Sequence, residues 1–208
     1  MLERQSALAS ALAKGGRDGA DGKRRCRLGE VRGWLLLQVA AFPATIGEVE
    51  RVLPALLGAP LPKTLSETAA VGAGRVFRTG PEQFWITGPA DGADAIETRL
   101  RQAIPPVIGA VTPLSHSRTR IVLDGECARA VLAKGIPLDF DPAVFRIDQA
   151  ALTGLHHTPV LIHRSSADRY ELWAMRTFAL SVWEWLADAA LEFGYDIPTD
   201  AGDRSDRP

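Results

Sequence analysis

The feature that most constrains the fold of this chain is an internal repeat. The segments FRTGPEQFWI (Phe77–Ile86) and RSSADRYELW (Arg164–Trp173) each combine a basic strand end, a turn, an acidic residue, an aromatic residue and Trp. Around each segment the sequence pattern runs strand, helix, strand, strand, helix. A chain that repeats this order is expected to form an α+β fold of two pseudo-repeated β-α-β-β-α halves, fused or intertwined.

Hydrophobic spacing predicts the elements of the first half. A continuous apolar run, Trp34–Phe42, has the length of a strand. Thr45 is predicted to cap the next helix, with Glu48 completing a capping box and Gly58 ending the helix. Pro54 falls inside that helix and is expected to kink or shorten it. Two strands joined around Gly80-Pro81 follow, and then a helix over residues 91–104.

The second half repeats the pattern. Thr119–Leu123 is predicted as a strand, and Cys127–Lys134 as a short helix that ends with Gly135 in a left-handed cap. ALTGLHHTPVLIHRS and DRYELWAMRT are predicted to form a strand pair around the turn at residues 165–168. Phe178–Gly194 has apolar residues at helical spacing and is predicted to be the longest helix.

Composition sets the expected domain limits. Residues 1–27 are rich in Ala, Gly, Asp and Arg, and are predicted to form a flexible N-terminal arm. Residues 28–194 are predicted to form a single α+β domain, with halves at about 28–110 and 111–194. Residues 195–208 are predicted to be a flexible tail.

Charge and cysteine content exclude several classes of partner. The 208 residues contain 24 Lys and Arg against 25 Asp and Glu, so no net charge attracts nucleic acid or an acidic membrane. No apolar run approaches the roughly 20 residues that span a bilayer. Cys26 and Cys127 form no metal or redox motif, and two free thiols favour a reducing, cytoplasmic location.

Ser115, His116 and Ser117 are the most suggestive candidates for catalysis. On an extended chain, neighbouring side chains point to opposite faces, so Ser115 cannot easily use His116 as its base. We expect the hydroxyls to bond backbone groups at a strand entrance. The glycines of VGAGRVFRTGP lack the helix that a dinucleotide site requires. We therefore predict neither catalytic nor cofactor-binding residues in this chain.

The histidines of the second half do not form a metal site by their spacing. His156 and His157 are expected to face apart. His163 lies six residues after His157, which is roughly 20 Å along an extended strand. Ligands of one metal lie about 2 Å from its centre, so these three histidines cannot form a metal site without ligands from other parts of the chain. We predict no metal ligands and assign these histidines to the surface or to an interface.

Tryptophan is abundant, with five residues in the chain. Trp183 and Trp185 are about 200° apart on a helix, so both cannot enter one core stripe. The alternatives are a helix buried all round and a helix whose outward Trp marks a protein contact. The predicted subunit interface comprises Trp183, Trp185, Trp173, His156 and His157.

LSHSRTRIVLDGECARAVLAKGIPLDFDPAVF (Leu114–Phe145), together with ALTGLHHTPVLIHR, RTFALSVWEWLADAALEFG and GPEQFWI, resembles the gamma subunit of heterotetrameric sarcosine oxidase. The resemblance spans about Arg32 to Gly194 and is most specific in the second half. It implies a fold similar to the folate-binding domain of the glycine-cleavage aminomethyltransferase.

The resemblance also implies a role. Such a chain is a non-catalytic structural partner in a bacterial complex of alpha, beta, gamma and delta subunits. The complex demethylates sarcosine oxidatively to glycine, hydrogen peroxide and methylene-tetrahydrofolate. FAD, FMN, NAD, tetrahydrofolate and zinc are then held by the other subunits.

Two alternatives stay open at this point. One is a gamma-like subunit of a sister oxidase that acts on dimethylglycine, a betaine or another N-methyl amine. The other is a stand-alone folate-binding C1-transfer protein, or an iron–sulfur-repair protein of the same wider fold. The repair proteins carry K-G-C-Y-x-G-Q-E, whereas Lys134-Gly135 continues here as Ile-Pro-Leu-Asp.

Overall fold

The computed structural model describes residues 5–13 and 15–198, which form a mixed α+β fold as predicted. The strands are β1 (Cys26–Val31), β2 (Trp34–Ala41), β3 (Thr68–Val71), β4 (Gly74–Gly80), β5 (Gln83–Pro89), β6 (Gly109–Pro113), β7 (Arg118–Asp124), β8 (Ala150–Leu155), β9 (Thr158–Arg164), β10 (Arg169–Met175) and β11 (Tyr195–Asp196). The helices are α1 (Ala9–Leu12), α2 (Ile46–Leu57), α3 (Ala93–Ala103), α4 (Ala128–Ala133) and α5 (Ala179–Ala190).

The chain divides into two compact units. The central unit is Gly33–His116, and the terminal unit combines the described residues up to Arg32 with those from Ser117 onward. These limits differ from the sequential halves expected at 28–110 and 111–194, because the first strand belongs to the terminal unit. The flexibility of the arm and the tail stays a prediction.

The central unit is an antiparallel sheet of order β3-β4-β5-β2-β6 with α2 and α3. Alternate residues of the strands, such as Val39 and Phe84, meet the apolar stripes of the helices, which include Leu53 and Leu100. All four side chains are buried. The core of this unit therefore lies between one sheet face and its helices.

The terminal unit is a sheet of order β11-β1-β7-β10-β9-β8. β11 runs parallel to β1, and the other pairs are antiparallel. Its core contains residues of α4 and α5 with Tyr170, and Tyr170 stacks on Phe145 at 6.4 Å between ring centroids. Leu8 and Ala11, from the segment predicted as an arm, are buried in the same core. The apolar spacing of "LASALA" explains their burial.

The internal repeat is present, but each repeat contains five strands instead of the three predicted, and the repeats exchange a strand. The order β1-β2-α2-β3-β4-β5-α3 is followed by β6-β7-α4-β8-β9-β10-α5. β2 and β7 occupy equivalent central positions in the two sheets. However, β1 pairs with β7 of the second repeat, and β6 pairs with β2 of the first. Of the two predicted arrangements, fused and intertwined, the sheets show the intertwined one.

Two helix predictions of the first half need correction. The Thr45 hydroxyl makes no cap bond to its own helix. It donates instead to the Ile108 carbonyl oxygen at 2.5 Å and accepts from the Phe42 N–H at 3.1 Å, so the predicted capping box is wrong. Helix α2 also continues through Pro54 to Gly58, whose φ of 70° ends it as predicted. Burial of the apolar stripe offsets the backbone hydrogen bond that Pro54 cannot make.

Three details of the second half also differ. The stretch ALTGLHHTPVLIHRS, which was predicted to be one strand, is the hairpin β8–β9. Its two-residue turn is His156-His157. The turn was missed because it contains neither Gly nor Asn. Helix α4 ends at Ala133, and Gly135 does not adopt the predicted left-handed conformation. Helix α5 spans 12 residues, the same length as α2, so it is not the longest.

Candidate interface and buried polar network

The segment from Ser115 to Ser117 is a turn between β6 and β7, so the expectation of an extended chain is wrong there. The Ser115 hydroxyl accepts a hydrogen bond from the Leu36 N–H at 2.8 Å and faces the Leu36 carbonyl oxygen at 3.4 Å. The Ser117 carbonyl oxygen accepts from the Arg176 N–H at 2.9 Å. The predicted backbone-bonding role is confirmed for Ser115, and His116 is exposed.

A buried polar network lies on the sheet face of the terminal unit that points away from its core. Alternation along β10 directs Tyr170 and Leu172 into the core and Glu171 to the opposite face. Glu171 is 3% exposed and receives two short bonds from the Arg120 guanidinium, at 2.9 and 2.8 Å. This pairing of a planar cation with a carboxylate is geometrically specific.

Further groups surround Glu171, among them Arg169, whose Nε lies 3.7 Å from Glu171 Oε1. His163 lies directly across the strand pair, with its Nδ1 3.8 Å from Glu171 Oε2. The Arg120 guanidinium also sits 5.3 Å from the ring centroid of Trp173, which is its neighbour across the strands. Trp173 is 2% exposed. Sequence reasoning missed Arg120 and Glu171, although the polar alternation in T-R-I-V-L and Y-E-L-W was a usable signal.

The electrostatics of this network suit a structural role. Burial by itself would raise the pKa of the Glu171 carboxyl, but Arg120 and His163 outweigh burial and lower the pKa to about 2. A carboxylate with so low a pKa is a poor proton acceptor near neutral pH. The network is therefore better suited to holding strands in register than to moving protons.

The first repeat contains the equivalent cross-strand pair. Gln38 lies opposite Trp85 in the central sheet, as Arg120 lies opposite Trp173 in the terminal sheet. The Trp85 indole N–H donates to the Gln38 side-chain oxygen at 3.1 Å. Both repeats thus place a Trp against a polar side chain at the same sheet position, and only the terminal unit adds charge.

The predicted interface residues separate by burial. Trp183 is 3% exposed and, like Trp173, is buried within this chain. Trp185 is half-buried and packs on the core from outside, whereas His156 and His157 are exposed at the β8–β9 turn. We call Trp185, His156 and His157 the tryptophan surface.

Glycine and histidine hold Trp185 in place on this surface. The His156 ring meets the Trp185 ring edge-on, with 5.4 Å between centroids. The indole also lies against Gly135, where an added Cβ would come within 2.3 Å of Trp185 Cζ2. Gly135 is therefore required by this contact rather than by helix capping. His156 adopts a positive φ of 50°, which the tight turn imposes.

Cys26 and Cys127 are both free and buried. Burial, with the neighbouring Cys127 thiol, raises the pKa of Cys26 to about 12. Burial also raises the pKa of Cys127. Both thiols are therefore protonated and poorly nucleophilic near neutral pH.

The described part of the chain has neither a cluster of metal-binding side chains nor a membrane-spanning helix. Residues 5–13 and 15–198 contain no group of three or more His, Cys, Asp or Glu arranged to hold a metal ion. Among the helices of those residues, none combines the length and apolarity needed to cross a bilayer.

Comparison with known proteins places the chain in a family. Residues 39–192 match the model of the "Sarcosine oxidase, gamma subunit family". The chain belongs to this family. It is 32% identical over 187 residues to a sarcosine oxidase subunit gamma from Arthrobacter sp., covering 89% of this chain and 88% of that relative. The corresponding subunit from Corynebacterium sp. (strain U-96) is 31% identical over 173 residues, covering 83% and 82%.

Solved structures agree with the gamma subunit family. A chain of the heterotetrameric sarcosine oxidase from Corynebacterium sp. U-96, solved in complex with pyrrole 2-carboxylate, matches with a TM-score of 0.80. The two are 30% identical, and the match covers 91% of this chain and 96% of the other. The aminomethyltransferase T of Bartonella henselae matches with a TM-score of 0.58 at 19% identity, over 79% of this chain and 46% of that one. This second likeness confirms the predicted fold.

Proposed function

We propose that this chain is the non-catalytic structural subunit of a bacterial, cytoplasmic heterotetrameric sarcosine oxidase. The observation that carries the proposal is the family match over residues 39–192, together with the TM-score of 0.80 to a chain of such a complex. The partners are the alpha, beta and delta subunits. They bind FAD, FMN, NAD, tetrahydrofolate and zinc, and the complex converts sarcosine to glycine, hydrogen peroxide and methylene-tetrahydrofolate.

The engaged polar groups support a structural role for this chain. The Ser115 hydroxyl bonds the backbone of Leu36, and the Glu171 carboxylate is occupied by Arg120. The buried, protonated thiols of Cys26 and Cys127 are compatible with a reducing compartment. These groups stabilise the two sheets instead of presenting themselves to a substrate.

The tryptophan surface is the proposed contact with a partner subunit. His156 and His157 project from a hairpin turn, and Trp185 supplies a large apolar ring beside them. A rigid aromatic ring flanked by polar groups is typical of residues that dominate binding energy. Trp173 and Trp183 are buried and would support the contact from within the chain.

Reconstitution tests the subunit proposal. The chain is produced with and without the candidate large subunits, and the native masses of the assemblies are measured. We expect the chain to co-elute with a flavin-containing partner in equal amounts. Failure to co-elute contradicts the proposal. Stoichiometric binding of tetrahydrofolate by the isolated chain, measured by titration, would instead support a stand-alone folate-binding protein.

Added negative charge tests the proposed surface. The variant His156→Asp/His157→Asp keeps the turn, because Asp tolerates positive φ, but adds charge at the contact. We expect its affinity for the partner to fall at least tenfold. The matched control is His116→Asp, since His116 is exposed in the central unit. If the two variants bind the partner with equal affinity, the tryptophan surface is not the contact. Turnover of the complex assembled with the control should match that of wild type.

A further inference from the structure

The two sheets have four edge strands among the described residues, and three of them are protected. β11 has two residues and ends in Asp196, β3 has four, and β6 ends in Pro113. Very short strands, charge and proline are the features that prevent an edge from pairing with another chain. β8 has six residues, AALTGL, with neither charge nor proline. It is therefore the open edge of this fold.

The backbone of β8 presents hydrogen-bonding groups away from β9. The two-residue turn makes Leu155 and Thr158 a hydrogen-bonded pair, and bonding then alternates along the hairpin. Thr153 bonds toward β9, so the N–H and C=O groups of Leu152 and Gly154 point to the open side. No other described residue hydrogen-bonds to these groups. An added strand is the structure that such a row of groups accepts.

The side chains at this edge favour an apolar, uncharged occupant. Leu152 is 53% exposed in the middle of the strand, and no charged residue lies between Ala150 and Leu155. Residues 199–208 of this chain are poorly suited to the edge, because five of the ten are charged and Gly202 interrupts them. The matched solved structure is a heterotetramer, so a segment of an unlike subunit is the expected occupant.

β8 runs directly into the His156-His157 turn of the tryptophan surface. One partner segment can therefore cover the open edge and that surface together. We propose that, in the assembled oxidase, an extended and uncharged segment of a neighbouring unlike subunit adds a strand to β8 beside Leu152 and Gly154. This inference rests on the proposed function, because it needs the partner subunits.

A matched pair of leucine variants tests the added strand. Leu152→Lys places a charge on the edge, as natural sheets do to prevent pairing. Leu65→Lys is the control, because Leu65 is 51% exposed and lies in the loop before β3. We expect Leu152→Lys to weaken binding to the partner subunits at least tenfold, with the control within twofold of wild type. Both variants should keep the melting temperature of the isolated chain.

Hydrogen exchange on the unmodified chain gives a second readout that does not depend on a variant's folding. On assembly, the amides of Leu152 and Gly154 should exchange at least tenfold more slowly, because they acquire carbonyl partners. The Leu65 amide should not change. Normal assembly without protection at Leu152 and Gly154 overturns the added strand but leaves the proposed function intact.

The remaining outcomes are equally decisive. If the chain never assembles with the large subunits, the proposed function itself fails. If the isolated chain forms dimers and protects Leu152 and Gly154 without any partner, the occupant is a second copy, and the inference of an unlike subunit is wrong.

Discussion

At the scale of single residues, the buried charge of Glu171 is balanced by its neighbours within the chain. Glu171 is almost wholly buried, yet it remains ionised because Arg120 bonds it twice and His163 lies beside it. Removing one member of such a buried pair costs more than the pair itself contributes, since the remaining charge is left without compensation. The network therefore maintains the order of β7, β10 and β9 more than it adds net stability.

Glu171→Gln should lower the free energy of unfolding by about 3 to 5 kcal/mol, because Arg120 is left buried without its carboxylate. Urea unfolding at pH 7 measures the change. Glu97→Gln is the control, because its pair with Arg101 is on the surface and contributes less than about 1 kcal/mol. A similar loss in both variants would contradict a special role for the buried pair.

The same carboxylate predicts a pH dependence. Its pKa falls from 4.5 in the unfolded chain to about 2 in the folded one, so the unfolded chain takes up the proton first. The stabilisation, about 3 kcal/mol, is fully present above pH 4.5 and is lost as the pH falls toward 2. Thermal melting of wild type should show this loss, and melting of Glu171→Gln should lack it.

The thiols provide a prediction of reactivity. Because burial raises the pKa values of Cys26 and Cys127, neither should react quickly with iodoacetamide at pH 8. Unfolding in urea should make both reactive. Mass spectrometry over time measures the labelling, and Cys127 should be labelled before Cys26, since it is the more exposed of the two. Rapid labelling of Cys26 in the folded chain would show that it is not buried.

At the scale of elements, one contact fixes the loop after α4 against α5. Trp185 of α5 covers Gly135 so closely that a methyl group there overlaps its ring. The Gly135 N–H also bonds the Leu132 carbonyl oxygen, and the Gly135 carbonyl oxygen faces the His156 N–H at 3.4 Å. The tryptophan surface therefore depends on a residue with no side chain.

Gly135→Ala should destabilise the chain by about 1 to 3 kcal/mol, because the indole must move. In a Trp185→Leu background the same substitution should cost less than about 1 kcal/mol, since the smaller side chain leaves room. Urea unfolding of the four variants in this double-mutant cycle measures the coupling. Equal costs in both backgrounds would mean that Trp185 is not the obstacle.

At the scale of the whole molecule, the exchange of β1 and β6 ties distant parts of the sequence together. β1 precedes the central unit along the chain but pairs with β7 of the terminal unit. The core of the terminal unit is therefore built from segments that lie on both sides of the central unit in the sequence. A substitution in β1 should therefore lower the stability of the terminal unit.

Leu28→Ala should destabilise the terminal unit by about 2 to 5 kcal/mol, because Leu28 is fully buried in its core. Amide exchange should accelerate more in β7 and β10 than in β4 and β5. The reciprocal control is Leu37→Ala in the central core, which should accelerate β5 and β6 more. Equal acceleration in both units after either substitution would show that they unfold together.

Features that depend on residues close together in the sequence were predicted, and features that depend on residues far apart in the sequence were not. Local patterns were sufficient for β2, β7 and α3, and for Gly58 as the end of α2. They failed at the His156-His157 turn, which has no turn residue, and at Gly135, whose requirement arises from Trp185 fifty positions away. They also missed the Arg120–Glu171 pair, because the faces of two strands can be inferred from alternation but their register cannot.

The amino-acid sequence by itself determined that the fold is repeated, which faces become apolar cores, and the resemblance to gamma subunits that the family match confirms. These properties depend on residue types at short spacing. Only the tertiary structure decided which strand pairs with which, and hence the exchange of β1 and β6, the buried pair and the open edge at β8. Strand pairing joins residues that are distant along the chain, so no local pattern encodes it.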